Sequence, residues 1–538
     1  MNNWTIIFLV SAENNLINES VKAIEEIYRA GSNDKVKFLI IFDGLEYGKF
    51  SKDFARPSLY EVTSENGFFI EKPVFKHRSE NLSSRSAFID FLNLIKKEYP
   101  AKNYGFIYKG HGGSGGADIS SAVFIEKLFT LPANIIDNEE KVEEYVTAHF
   151  SKKYELDGVY NYMGYAKSKK ARRHVMAIFT ATENARSLSY QSIAECIKTV
   201  FKQKIGFVCL DCCWGQQIEN AFVFADAAEY IIASADESPA LGIGYQELCT
   251  RINQRPNIRP EEIANMIVAV YFYRNYSDYD SPVAEFRKMG VSITNIKTEM
   301  LKKKAGSNRE SFEDKMKALC DYLIENIGKF KQIILPARNK CKDYTYKDTE
   351  LLKPDKIIYP VFNIDLPWFL TNLRYFNQDK DEKLDTLIND ILLFIETKLI
   401  KGFLSSNYRN PILGNKTAYT GGNGLSILFP ISKKQADGCE SLYKSKNHLF
   451  YVKTNWLKFL HEYYKELERV DKSTDYKAVW NKENTLQMPN IYYKLNNKTF
   501  FKRKNPESFA YNRFKKQVNK LNNNTSDWSG IIKSQKKK

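Results

Sequence analysis

The sequence predicts an α/β fold: a mostly parallel sheet sandwiched by helices, followed by a C-terminal α/β lobe and a basic tail. Two observations predict the sheet. Over the first 250 residues, apolar runs of strand length alternate with stretches of helical period, and strands buried on both faces read as unbroken apolar runs because neither face meets water. The runs are spaced widely enough for the crossover helices that parallel connections need. A third observation sets the tail apart. Residues 469–538 carry 17 Lys and Arg against 5 Asp and Glu, so +12 of the chain's net +16 lies in a Lys- and Asn-rich segment with too little apolar surface for a core of its own.

The elements follow in order. WTIIFLV (4–10) is a first strand; no basic residues precede it and it stops at the polar run from Ser11 to Asn15, unlike a leader peptide. VKAIEEIYRA (21–30) repeats apolar residues at helical period, VKFLIIFDG (36–44) is a second strand, and SAFIDFLNLIKKEYP (86–100) a second helix. YGFIYKG (104–110) is a third strand. The pattern then loosens into a charged insertion, about 117–188, with NEEKVEEYVTAHFSKKYEL and the basic run AKSKKARRH (166–174). YQSIAECIKTVFK (190–202), IGFVCLD (205–211), QIENAFVFADA (217–227) and EYIIASA (229–235) restore the alternation. Further on, PEEIANMIVAVYFYRNY (260–276) and DEKLDTLINDILLFIETKLI (381–400) read as helices, followed by NGLSILFPIS (423–432). The expected division is a core over 1–250 with the insertion at about 117–188, a C-terminal lobe over 251–468 and a basic extension over 469–538.

Composition excludes several classes. No stretch of about 18 uninterrupted apolar residues occurs, so no membrane span is expected. The eight cysteines lack the dense spacing of a disulfide-stapled domain, so neither disulfides nor a metal site is expected. The expected location is the cytoplasm.

In a parallel sheet, binding and catalytic groups collect beyond the carboxyl ends of the strands. Two strand ends carry chemistry. YGFIYKG runs into His111 and GGSGG, where absent Cβ atoms let the backbone turn sharply. IGFVCLD ends in Asp211-Cys212-Cys213 just before a helix expected from about Gln216, whose partial positive charge favours thiolate. Each signal alone has an ordinary alternative, since a lone histidine caps turns and free cysteines are common core residues. Together, a Cys and a His from two strand ends of one sheet form the pair that nucleophilic acyl transfer needs. The N–H groups of Gly112 and Cys213 are the expected oxyanion donors. His77, His149, His174, His448 and His461 do not combine an apolar strand before them with a glycine cluster after.

Five blocks, in order, resemble the clostripain family of cysteine peptidases in the caspase-like clan. WTIIFLVSAENNL resembles the family's opening strand, YGFIYKGHGGSGG its histidine block, LSYQSIAECIK the helix before the cysteine strand, FVCLDCCWGQQIENAF the cysteine block, and NGLSILFP a downstream block. The resemblance runs from about residue 4 to about 465, is poor over 117–185 and excludes the tail. It implies a caspase-like sheet. It also implies that Cys213 is the nucleophile, two residues after Asp211 and six before Glu219, while Cys212 takes a small core position. By the same match Asp211 lies at the base of the S1 pocket and selects a basic residue before the scissile bond, through a charge-assisted hydrogen bond. Topology adds Asp236 and Glu237 as a second acidic wall. The chain departs from the family at Lys109-Gly110, in place of Trp-Asp, and at Trp214-Gly215, in place of Leu-Met. Clan members are commonly matured by cleavage between His and Cys, where Lys167, Lys169, Lys170, Arg172 and Arg173 form either a self-cleavage site or a solvated charge run. No cofactor is expected to be required, and calcium enters through the resemblance only, with no EF-hand-type loop present.

The expected function is a cysteine endopeptidase cleaving proteins or peptides after Arg or Lys through Cys213 and His111, with self-processing in 166–174. One alternative is a regulated effector protease switched on by a protein partner. The other is a scaffold whose tail binds nucleic acid, as YYKLNNKTFFKRK (492–504) interleaves cations with aromatic rings.

Overall fold

The computed structural model describes residues 1–12, 16–44, 57–63, 72–77, 82, 85–110, 190–236, 238–239, 241–277, 292–339, 341, 363–377, 379–405, 408–409, 418–419, 422–430 and 449–470. Of the residues singled out above, His111, Gly112, Glu237, the basic run 167–173 and the tail beyond 470 lie outside them.

The chain opens with β1 (Asn2–Ala12), α1 (Ile17–Ala30), β2 (Val36–Gly44), β3 (Ser58–Glu61), β4 (Phe75–Lys76), α2 (Arg85–Glu98) and β5 (Ala101–Lys109). After the insertion come α3 (Tyr190–Phe201), β6 (Ile205–Asp211), α4 (Ile218–Phe224), β7 (Ala228–Ala233), α5 (Tyr245–Gln254) and α6 (Pro260–Ser277). The remainder holds β8 (Ser292–Lys297), α7 (Phe312–Glu325), α8 (Ile327–Asn339), β9 (Asn363–Asp365), α9 (Leu366–Phe376), α10 (Glu382–Phe394) and β10 (Ile400–Ser405). Two short strands, β11 (Tyr408–Arg409) and β12 (Ala418–Tyr419), precede β13 (Ser426–Leu428), α11 (Leu449–Lys453) and α12 (Trp456–Val470).

Nine strands make one sheet in the order β10-β8-β7-β6-β5-β1-β2-β3-β4. Its centre, β7 to β2, is parallel, and the outer pairings are antiparallel. All five strands expected in the first 250 residues form this parallel centre. Side chains alternate across it as the two-residue period requires. From β1, Trp4, Ile6, Phe8 and Val10 enter the core beneath α1, α5 and α6, while Ile7 and Leu9 enter the core shared with α2, α3 and α4. Such full burial is worth roughly 1.5–3 kcal/mol per large apolar side chain, so the apolar runs select this sheet over solvated alternatives.

Residues beyond 250 do not stand apart from the sheet. β8 pairs with β7 and β10 with β8, both antiparallel, and α7, α10 and α12 bury their apolar faces in the same core as α2 and α3. Trp456, Phe459 and Tyr463 of α12 surround Phe429, with ring centroids 5.4, 6.0 and 5.7 Å away. Among the described residues, no helix is long and apolar enough to cross a membrane, and no cluster of three or more His, Cys, Asp or Glu is arranged to hold a metal ion.

Candidate active site

Every residue of β6 is buried, and strand alternation divides its end between two environments. Val208, Leu210 and Cys212 face the α3 and α4 side. Cys212 is 2% exposed, and its Sγ lies 2.9 Å from the Tyr190 hydroxyl of α3. Cys213, just past the strand, is half-buried. The N–H of Ser238 donates to its Sγ at 3.2 Å, and the sulfur stands 3.9 Å from the Ser238 carbonyl. A fixed N–H donor favours thiolate over thiol, because the charged form is the better acceptor. Ser238 is itself held through its hydroxyl, 2.8 Å from that of Tyr271 in α6.

The turn that presents Cys213 is tied down on three sides. Trp214 adopts a left-handed backbone, φ 52°, which is uncommon for a bulky residue, and donates its N–H to the Asp236 carbonyl at 3.0 Å. Gln216 donates to the Ser234 carbonyl at 2.8 Å, and the Asn220 side chain donates to the Gly215 carbonyl at 3.2 Å. From the far end of the chain, Ser426 donates its N–H to the Gln216 carbonyl at 3.1 Å, and Leu428 donates to Glu219 Oε1 at 2.9 Å. The block NGLSILFP thus braces the cysteine loop and the start of α4 through β13. Glu219 is fully buried, and burial lifts its carboxyl to about 7 against the lowering effect of the Leu428 N–H.

Asp211 belongs to the opposite face from Cys212, the one that carries Phe207 and Cys209 towards α5. Its Oδ2 accepts the Tyr245 hydroxyl and, at 3.3 Å, the Ile243 N–H. Lys109 Nζ stands 3.5 Å from the same oxygen, with the Lys109 and Asp211 side chains 5% and 1% exposed. Burial first, and then the Asp211 charge, push the Tyr245 hydroxyl well above its ordinary range, so it remains a donor. Gly242 passes so close to the carboxylate that a Cβ there would meet Asp211 Oδ2 at 2.0 Å, and its φ of +63° lies in the left-handed region. Arg274 holds this segment by donating to the Ile243 carbonyl at 2.9 Å while pairing with Glu26.

Residues 161–350 match the Clostripain family. That span contains Asp211, Cys213 and Glu219, while His111 and Lys109 precede it. The fold agrees with solved structures of this group. An inactive zymogen C11 protease from Parabacteroides distasonis is 16% identical, with 84% of this chain and 99% of that one covered at a TM-score of 0.50. A secreted C11 cysteine protease from Bacteroides thetaiotaomicron, in complex with an irreversible peptide inhibitor, is 13% identical, with 85% and 100% covered at 0.51. At these identities the likeness establishes the α/β sheet architecture. No curated protein matches the chain.

Set against the expectations from the clostripain blocks, the structure brings Cys213, Asp211 and Asp236 to one edge of the sheet. Asp236 enters the site through its backbone, accepting from Trp214 and taking the Ser234 hydroxyl as partner for its N–H at 3.2 Å. The helix behind Cys213 is short and begins only at Ile218. The donor seen on the sulfur among the described residues is instead the Ser238 N–H. Ser238 and Tyr271 were missed in the sequence, and no local signal marks either one. The Lys109–Asp211 pair had a signal: both residues end adjacent strands, and the β5–β6 register sets them opposite each other.

Proposed function

We propose that the protein is a cysteine endopeptidase in which Cys213 attacks the scissile carbonyl and His111 handles the protons. The observation that carries the reading is the half-buried Cys213 sulfur receiving the Ser238 N–H at the carboxyl edge of the sheet, within the family-matched span. His111 takes the Cys213 thiol proton as the sulfur forms a bond to the carbonyl carbon, and the carbonyl electron pair moves onto oxygen. Collapse of this adduct expels the amine, which takes a proton from the imidazolium, and water then hydrolyses the thioester. The register supports the pairing with histidine. Lys109 lies opposite Asp211 at the ends of parallel β5 and β6, and in the sequence His111 and Cys213 each follow two residues after them.

Selectivity for Arg or Lys, implied by the resemblance, would require the Asp211 carboxylate to be free for a second cation. Lys109 already stands against it. The function is tested by offering a fluorogenic peptide mixture to wild type and to Cys213→Ala. Wild type cleaves, and the variant loses at least about a thousandfold in kcat/KM, the scale at which removing a covalent nucleophile acts. Undiminished cleavage by Cys213→Ala would overturn the proposal.

A further inference from the structure

We infer that Lys109 is a built-in counter-ion for Asp211, so that this peptidase selects an uncharged side chain before the scissile bond instead of Arg or Lys. The inference rests on the reading of Cys213 as the nucleophile and deepens it to a substrate class.

The geometry argues it in three steps. Lys109 and Asp211 end adjacent parallel strands in direct register, and both continue the side-chain parity that faces α5. Their side chains are 5% and 1% exposed, so the ion pair is shielded from bulk water. Around Asp211 Oδ2 stand the Lys109 ammonium at 3.5 Å, the Ile243 N–H at 3.3 Å and the Tyr245 hydroxyl, while the ammonium also lies 5.8 Å from the Tyr245 ring centroid. One oxygen thus already carries a full complement of donors.

Asp211 Oδ1 has no hydrogen-bond partner among the described residues, which leaves it as the atom a substrate side chain would address. A Lys or Arg side chain reaching it would bring a second cation beside the Lys109 ammonium. Repulsion between the cations then offsets the attraction of the carboxylate, because both act over similar distances in the same medium. The incoming cation must also shed its water without gaining a net counter-charge, which a buried ion tolerates poorly. Lys109 cannot withdraw cheaply either, as it ends a central strand and its departure would leave Asp211 buried and unpaired. An uncharged side chain meets neither cost.

The test uses peptide acyloxymethyl ketones identical except at P1, which carries lysine, glutamine or norleucine, and follows inactivation rates and the labelled residue by mass spectrometry. In wild type the lysine probe labels Cys213 no faster than the norleucine probe. In Lys109→Met the lysine-to-norleucine ratio rises at least about tenfold, because the carboxylate gains a vacancy for a cation. In the double variant Lys109→Met with Asp211→Asn, a neutral pair that does not depend on ionic compensation to fold, the ratio returns to the wild-type value. A wild type that prefers the lysine probe tenfold or more overturns the inference while leaving the peptidase intact, and it does so even if Lys109→Met fails to fold. An unchanged ratio in folded Lys109→Met overturns it likewise. If no probe labels Cys213 in any folded protein, the peptidase reading falls and the inference falls with it.

Discussion

Cys212 and Cys213 are chemically identical and adjacent in the chain, yet strand alternation sends one sulfur into the core against Tyr190 and leaves the other at the sheet edge under the Ser238 N–H. Their substitutions should therefore separate. Cys212→Ala is expected to cost about 1 kcal/mol of stability, through a small cavity, while peptide cleavage stays within a few-fold of wild type. Chemical denaturation alongside kcat/KM checks both. Ser238→Pro deletes the N–H that faces the sulfur, and loss of a hydrogen bond to a charged acceptor should move the pH midpoint of Cys213 alkylation upward by about one unit. An iodoacetamide rate–pH profile reads this directly, and an unmoved midpoint would show that the Ser238 N–H does not support thiolate. At this scale the candidate nucleophile could be picked from the sequence through the resemblance of its block, because the spacing of Cys213 to Asp211 and Glu219 is local. Ser238 was not, because its only qualification is where a distant loop places its backbone.

Among the elements, α4 and β13 are joined at Glu219, a carboxyl that burial raises to about 7. Its folded value lies above its unfolded one, so its contribution to stability is fully present below about pH 4.5 and is lost as pH rises through about 7. The loss is on the order of 3 kcal/mol, and Glu219→Gln should remove it, giving a protein more stable than wild type at pH 8 and no more stable at pH 4. Asp43, lifted by burial to about 7, acts in the same window and remains in the variant, so the difference between the two denaturation curves isolates Glu219. Gly242→Ala makes a second case. With a Cβ driven onto the Asp211 carboxylate at a left-handed φ, it should destabilise the loop ahead of α5 by about 2 kcal/mol or more, seen as a lowered Tm. The five central strands could be read from apolar runs alone, since burial on both faces leaves no other pattern. The bracing of the cysteine loop by β13 could not, because Gln216 and Ser426 meet only across the folded chain.

For the whole molecule, β8 and β10 extend the sheet past β7, and the helices beyond 310 complete one of its two cores. A chain ending at residue 250 would leave β7 as an edge and that core half open. It is expected to show no cooperative thermal transition and to bind hydrophobic dyes, where full-length protein melts cooperatively. The sheet runs across the expected division at 250, since β8 pairs with β7 and β10 with β8. Selectivity has a consequence at this scale too. An enzyme whose Asp211 is compensated by Lys109 should not cut its own basic run at 167–173, so wild type and Cys213→Ala should both remain uncleaved across that segment, differing in mass only by the substitution. Fragments ending there in wild type alone would restore a free Asp211.

The central claim, that Cys213 is the nucleophile, is tested most directly by treating the full-length protein with a peptide acyloxymethyl ketone bearing norleucine at P1 and locating the adduct by tandem mass spectrometry. The account predicts a single adduct on Cys213, none on Cys212, and none in Cys213→Ala. An adduct on Cys212, or labelling that persists in Cys213→Ala, would contradict it.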